Sequence, residues 1–233
     1  MTMVIVVGVV SLALLLGAAW ALFLPLPERL RGFLLALSGG ALIVSLMTEL
    51  IEPSAEEIPL WGIALAVGGG AAVFTVADAW ISKKFGASSG GGLLAAITLD
   101  GIPENLALGV ALIGASPKAI AALAGSIFLS NLPEAAGGAK DMQGGSHSKG
   151  KVFGLWTAAA ALLASAAVIG NLALTGVPDS VLAVIKCFAA GAVVSSLATE
   201  VFPKAFQEDS DVAGTATALG LILAFALSTL KGG

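Results

Sequence analysis

Apolar residues run through this chain in long blocks separated by charges, prolines and Gly/Ser clusters. Cutting at those interruptions leaves eight blocks, at 2–24, 30–51, 60–82, 91–114, 117–139, 152–174, 180–202 and 212–230. A helix crossing about 30 Å of hydrocarbon needs about 20 residues, and every block is close to that length. The connections are short, the longest being KDMQGGSHSKGK at 140–151, so no stretch remains for a soluble domain. Backbone in lipid must hydrogen-bond to itself. One bundle of eight helices, a single transmembrane domain over 1–233, is therefore expected. The first block opens MTMVIVVGVV without a preceding Lys or Arg, which predicts a retained helix and not a cleaved leader.

Composition sharpens the class. Hydrophobic residues make up 58% of the 233 and charged residues 11%, with a mean hydropathy of +1.00; a soluble domain carries about 25% charged residues. An all-α polytopic protein of a cell inner (plasma) membrane is expected. The net charge of −4 argues against a nucleic-acid partner, for which a basic patch is needed. The lone Cys187 excludes an intrachain disulfide and reads as a small hydrophobe in a packed helix. Lys and Arg set the orientation. Numbering connections from the amino end, the odd ones hold Arg29, Arg31, Lys83, Lys84, Lys140, Lys149, Lys151 and Lys204. The even side and the carboxyl tail hold only Lys118, Lys186 and Lys231, which places odd connections in the cytoplasm and both termini outside.

Two pairs of segments repeat. GALIVSLMTEL (40–50) in the second block and GAVVSSLATEV (191–201) in the seventh match at Gly-Ala, Ser-Leu and Thr-Glu with the same spacing. LDGIPENLALG (99–109) in the fourth and LSNLPEAAGGA (129–139) in the fifth share Leu-x-x-apolar-Pro-Glu. In each pair the two segments run in opposite directions across the membrane. This predicts a three-two-three inverted repeat about a two-fold axis in the membrane plane, a transporter construction with its site at the midplane.

The central pair carries the chemistry. Asp100 and Glu104 are four apart and share one helical face, as do Ser130 and Glu134, with Asn131 beside Ser130. Pro103 and Pro133 each lack an N–H, so each kink frees a carbonyl one turn back, at Leu99 and Leu129. Three ionised carboxylates at membrane depth would cost roughly 8–10 kcal/mol without partners. No Lys, Arg or His lies in the fourth block or the middle of the fifth. The missing positive charge is then a metal cation or protons, and the donor set is hard and oxygen-rich.

With these motifs the chain resembles the ZIP family of divalent-metal transporters, in particular its prokaryotic GufA-like branch. That family carries His-Asn-x-Pro-Glu-Gly in its fourth helix and a polar-polar-x-Pro-Glu-Gly counterpart in its fifth. The resemblance extends over the whole chain in span number and order, and it implies that Glu104 and Glu134 bridge a metal between the kinked helices. It also implies ligand positions at Asp100, Ser130 and Asn131. The departures are Asp100 for the usual His, Gly101 for Asn, and Asn105 and Ala135 for the Gly after Glu. Loss of a ligand at Gly101 implies one metal site, not two. Loss of the imidazole weakens zinc against manganese, ferrous iron or magnesium. KKFGASSGGG at 83–92 replaces the family's His-rich loop, and His147 reads as a solvated loop residue.

Other acids flank this centre. Glu49 and Glu52, followed by Glu56 and Glu57, form an expected acidic entrance, and Glu200 is the matching exit candidate. Gly39-Gly40, Gly68-Gly69-Gly70 and Gly137-Gly138 are expected to allow close helix approach. No HExxH, nucleophile elbow or Walker-type loop is present, so an enzyme is not expected. The expected function is transport of zinc, iron or manganese by alternating access, with the cation as cargo and no organic cofactor. A homodimer remains open. The alternative is a ZIP-like protein with a degenerate metal site that moves another solute or protons.

Overall fold

The computed structural model of the chain describes residues 2–85, 90–113, 117–144 and 147–229, and these are helical with no strand among them. Among the described residues there are eight long helices. They are α1 (Thr2–Phe23), α2 (Glu28–Ser45), α3 (Leu60–Phe85), α4 (Gly90–Ala111), α5 (Pro117–Gly144), α6 (Lys149–Leu174), α7 (Asp179–Ser196) and α8 (Ser210–Thr229). Six of these, α1–α3 and α6–α8, are long and apolar enough to cross a membrane; α4 and α5 carry the Pro-Glu stretches. On α3, Leu60, Trp61, Leu65, Val73, Val76 and Trp80 are all more than half exposed. Water would not tolerate such a face, whereas lipid does, and the helices are those of a multi-pass membrane protein.

Most helices begin and end within three residues of the apolar blocks; α5 runs on to Gly144, five residues past its block, which puts Lys140 and Asp141 on a helix and not in a connection, and two others continue past a proline. α2 continues through a π-helical stretch, Leu46–Ile51, into a last turn, Glu52–Ser54. Likewise α7 continues through a π-helical stretch, Leu197–Val201, into Phe202–Glu208. The expected ends at 51 and 202 were set by Pro53 and Pro203, yet the chain stays helical past both. A proline clashes with the carbonyl four residues back, here that of Glu49 and of Thr199. Widening the preceding turn relieves the clash without ending the helix, which is what the π stretches do. Both bear the matched Thr-Glu pair. The nine-residue connection expected before α8, at 203–211, is reduced to Asp209, so Lys204 and Glu208 stand on a helix and not in a loop.

Packing follows a paired pattern. α1 packs chiefly on α5 and α6 chiefly on α4; α2 packs chiefly on α8 and α7 chiefly on α3, and α1 meets α6. In α2 and α7 alike, 61% of the most apolar stretch is buried, against 22% in both α3 and α8. The tightest crossings rest on glycines. A Cβ on Gly40 would stand 2.0 Å from the Thr217 carbonyl oxygen, and one on Gly220 would stand 1.8 Å from that of Leu37. The other crossing has the same form: a Cβ on Gly191 would lie 2.0 Å from the Val67 oxygen, and one on Gly70 would lie 1.9 Å from that of Phe188. Only residues without a Cβ allow backbones this close. Gly68 and Gly69 face open space, so of that triplet only Gly70 makes a close approach.

Basic groups gather where α1, α5 and α7 end and α2 and α6 begin. Lys140 Nζ donates to the Leu26 carbonyl at 3.0 Å, and Lys149 Nζ lies 5.2 Å from the Phe23 ring centre. Arg31 and Lys204 meet Asp141 at the same end. At the opposite end Ser54 Oγ lies 3.4 Å from the Ala183 carbonyl, joining the end of α2 to the start of α7.

Candidate functional site

α4 and α5 each hold a proline in mid-helix, Pro103 and Pro133, with the glutamate next in sequence. Glu104 is 9% exposed. Across the interface, Ser130 Oγ stands 3.4 Å from Glu104 Oε1 and 3.0 Å from the Ile127 carbonyl, so its one proton is shared between them. Asn131 is also buried, and its side-chain Nδ2 has no hydrogen-bond partner among the described residues. Leaving a buried amide unpaired costs about 1–3 kcal/mol. Amide oxygen and nitrogen are interchangeable in such an assignment, so Asn131 can offer either to a ligand. Glu134, half-buried, is within electrostatic range of Glu104, Glu200 and Lys204. The backbone of Asp100 is helical one turn before Glu104, but its side chain lies outside the described residues. Among the described residues no three His, Cys, Asp or Glu side chains gather closely enough to hold a metal ion.

Two neighbours went unnoticed in the sequence. Asn105, seen there only as a replacement for glycine, is 3% exposed and donates from Nδ2 to the Gly101 carbonyl at 2.9 Å. The bond braces the proline-containing turn that carries Glu104. Gly101 itself is filled from outside: a Cβ there would stand 2.5 Å from a Leu163 methyl of α6. An apolar side chain thus occupies the neighbourhood of a position where the resemblance implies a ligand.

The surroundings are asymmetric. On one side, Leu42, Ser45, Leu46 and Leu50 of α2 close over Glu104, Leu108 and Ile127, leaving a void of about 20 Å³. That is space for about one water molecule. Towards the basic end, a cavity of about 590 Å³ opens between Thr199, Glu200 and Lys204 of α7, Arg31 of α2 and Asp141 of α5. Glu200 therefore lines an open vestibule. Glu49 is half-buried and accepts from its neighbour Thr48 at 3.2 Å, while Glu52, Glu56 and Glu57 are exposed around it.

Charges that look like unrelated loop residues in the sequence form one cluster beside the vestibule. Arg31 donates from Nε to Glu208 Oε2 at 2.6 Å, and its Nη2 lies 2.6 Å from Glu208 Oε1. Its Nη1 lies 3.0 Å from Asp141 Oδ1, and Lys204 pairs with the other Asp141 oxygen. Forked guanidinium contacts of this kind hold three helices in fixed register.

The asymmetry predicts thiol reactivity. In a Cys187→Ser background, Thr199→Cys in the vestibule is expected to react with a water-soluble maleimide at least about tenfold faster than Ser45→Cys, which a minor opened state alone would expose. Equal rates in detergent-solubilised protein would show that the leucine closure does not exist in solution. No protein-family model matches the chain, and no curated protein is significantly similar to it.

Proposed function

We propose that the chain carries a divalent cation across a cell inner (plasma) membrane through a carboxylate site between the kinked helices α4 and α5, as a ZIP-like transporter. The observation that carries this reading is the buried Glu104, bridged to Ser130 of α5 beside the unpartnered amide of Asn131. An ionised carboxylate at that depth needs compensation, and a dication held by Glu104, Glu134, Asn131 and Ser130 supplies it. Asp100 would complete the set as a further oxygen donor. Oxygen ligands suit manganese or ferrous iron as well as zinc, and Leu163 against Gly101 favours one cation position over two.

The proposed architecture has eight spans in a three-two-three inverted repeat with both termini outside. Its support is the paired packing, the equal burial of α2 and α7, and the π-helical stretches at both Thr-Glu pairs. In alternating access Glu49 would belong to the entrance and Glu200 to the exit, one sealed while the other is open. The described state has the Glu200 side open.

A second reading, in which a degenerate site moves protons or another solute, draws on the absence of a three-ligand cluster among the described residues. Flux separates the two. Proteoliposomes of the full chain should take up manganese(II), iron(II) or zinc(II) above empty liposomes, in a saturable manner. Dissipation of a pH gradient without uptake of any of the three would replace the metal reading with the proton one.

A further inference from the structure

We propose that Lys204 is a tethered cation that competes with the cargo, its ammonium passing between Asp141 and the Glu134–Glu200 pair so that the open vestibule favours release. The inference rests on the transport reading above. Its basis is a ladder on α5: Glu134, Gly137 and Asp141, spaced three and four residues, share one helix face. The middle rung has no side chain. Into that gap comes the Lys204 ammonium from α7, 3.7 Å from where a Gly137 Cβ would stand, with Arg31 Cδ at 3.5 Å. Lys204 pairs there with Asp141 and lines the vestibule together with Glu200, one turn earlier on its own helix.

By the rise of a helix, the Gly137 rung lies about 4.5 Å along the axis from that of Glu134 and about 6 Å from that of Asp141, whose carboxylate reaches back to the ammonium. A four-carbon stem with free torsions covers that distance without moving backbone. With the site empty, the ammonium can lean towards Glu134 and Glu200 and offset their charge. With a dication on Glu134, like-charge repulsion drives it back to Asp141, and its return as the cation leaves replaces the positive charge that the carboxylates lose. Arg31 cannot substitute, because both edges of its guanidinium are already engaged by Glu208 and Asp141.

Equilibrium binding of manganese(II) to the purified full-length protein tests this. Lys204→Met should tighten binding about tenfold, within the usual range of coupling between sites, and should slow cation release in stopped-flow exchange. Lys204→Arg should bind as wild type does, since the charge is kept. Asp141→Asn should weaken binding by freeing the ammonium for Glu134. In the Lys204→Met background the same Asp141→Asn change should then do nothing, because its effect acts through the lysine. Lys204→Met within about twofold of wild type, or an Asp141→Asn effect that is the same in both backgrounds, overturns the proposal. If the wild type binds neither manganese(II) nor zinc(II) saturably, the transport reading falls with it; if the wild type binds and Glu134→Gln does not, only the lysine proposal is at stake.

Discussion

Replacing Glu104 or Glu134 by alanine is expected to reduce cation uptake at least about 100-fold, to the level of empty vesicles, while the folded protein remains in the membrane. In the proposed site each substitution removes one of the two glutamates that, with Asp100, would replace the water shell of the cargo. Breaking a buried charge pair costs about 3–5 kcal/mol, and each 1.36 kcal/mol is a factor of ten. Stability should change little or rise, because an uncompensated carboxylate at membrane depth is itself unfavourable by about 2.5–3.5 kcal/mol. Glu104→Gln and Glu134→Gln should match the alanine variants in uptake, since shape without charge is not enough. Glu52→Ala, at an exposed position on the far side of the leucine closure, should lower uptake only modestly. Monodisperse elution and a melting temperature no lower than that of the wild type must accompany the loss. Near wild-type uptake by either Glu104→Ala or Glu134→Ala removes the central site from the mechanism.

Gly191→Ala should unfold the protein more easily, by about 3 kcal/mol or more, although alanine is the better helix former by about 1 kcal/mol. The added methyl would lie 2.0 Å from the Val67 carbonyl oxygen and 2.7 Å from its carbon, both rigid backbone atoms of α3. α3 and α7 must then move apart along their main contact, and dispersion is lost along its whole length. Gly40→Ala meets the Thr217 oxygen at the same 2.0 Å in the α2–α8 crossing and should behave alike. Gly68→Ala provides the contrast. Nothing stands within 4 Å of a Cβ there, so the usual gain in helix propensity should appear as a small rise in melting temperature. Thermal unfolding in one detergent, with all three variants side by side, reads the sign directly. Destabilisation of similar size at Gly68 and Gly191 would mean that the glycine crossings are not what holds the bundle.

The vestibule explains why charge counting along the chain was only partly informative. Arg31 and Lys204 enter an orientation argument as two cytoplasmic charges of equal weight. In the folded protein both are bound to Asp141 beside a cavity, and Lys204 also sits within range of Glu134. Lys204 and Glu208 share a face by their spacing of four, but nothing in the sequence brings residues 31 and 141 to them, because those separations are set by how three helices pack. Pro203 misled for a local reason: it marks a helix end by propensity, but a widened turn absorbed it and carried Lys204 onto the helix.

What the sequence determined by itself was the set of helices and the chemistry offered by two of them. An apolar block of about 20 residues has one low-energy form in lipid, so its length and composition decide the element without reference to neighbours. The spacing Asp100–Glu104 and Ser130–Glu134 likewise decides which side chains share a face, since that depends only on the helical repeat. The tertiary structure decided the rest. It set Ser130 against Glu104, left the Asn131 amide unpaired, filled Gly101 with Leu163 and closed one side of the centre with leucines while opening the other. These are contacts between helices far apart in the chain, and their geometry follows from where backbones can approach, at Gly40, Gly70, Gly191 and Gly220. Gly68 and Gly70 are identical in sequence terms; only the partner helix tells them apart.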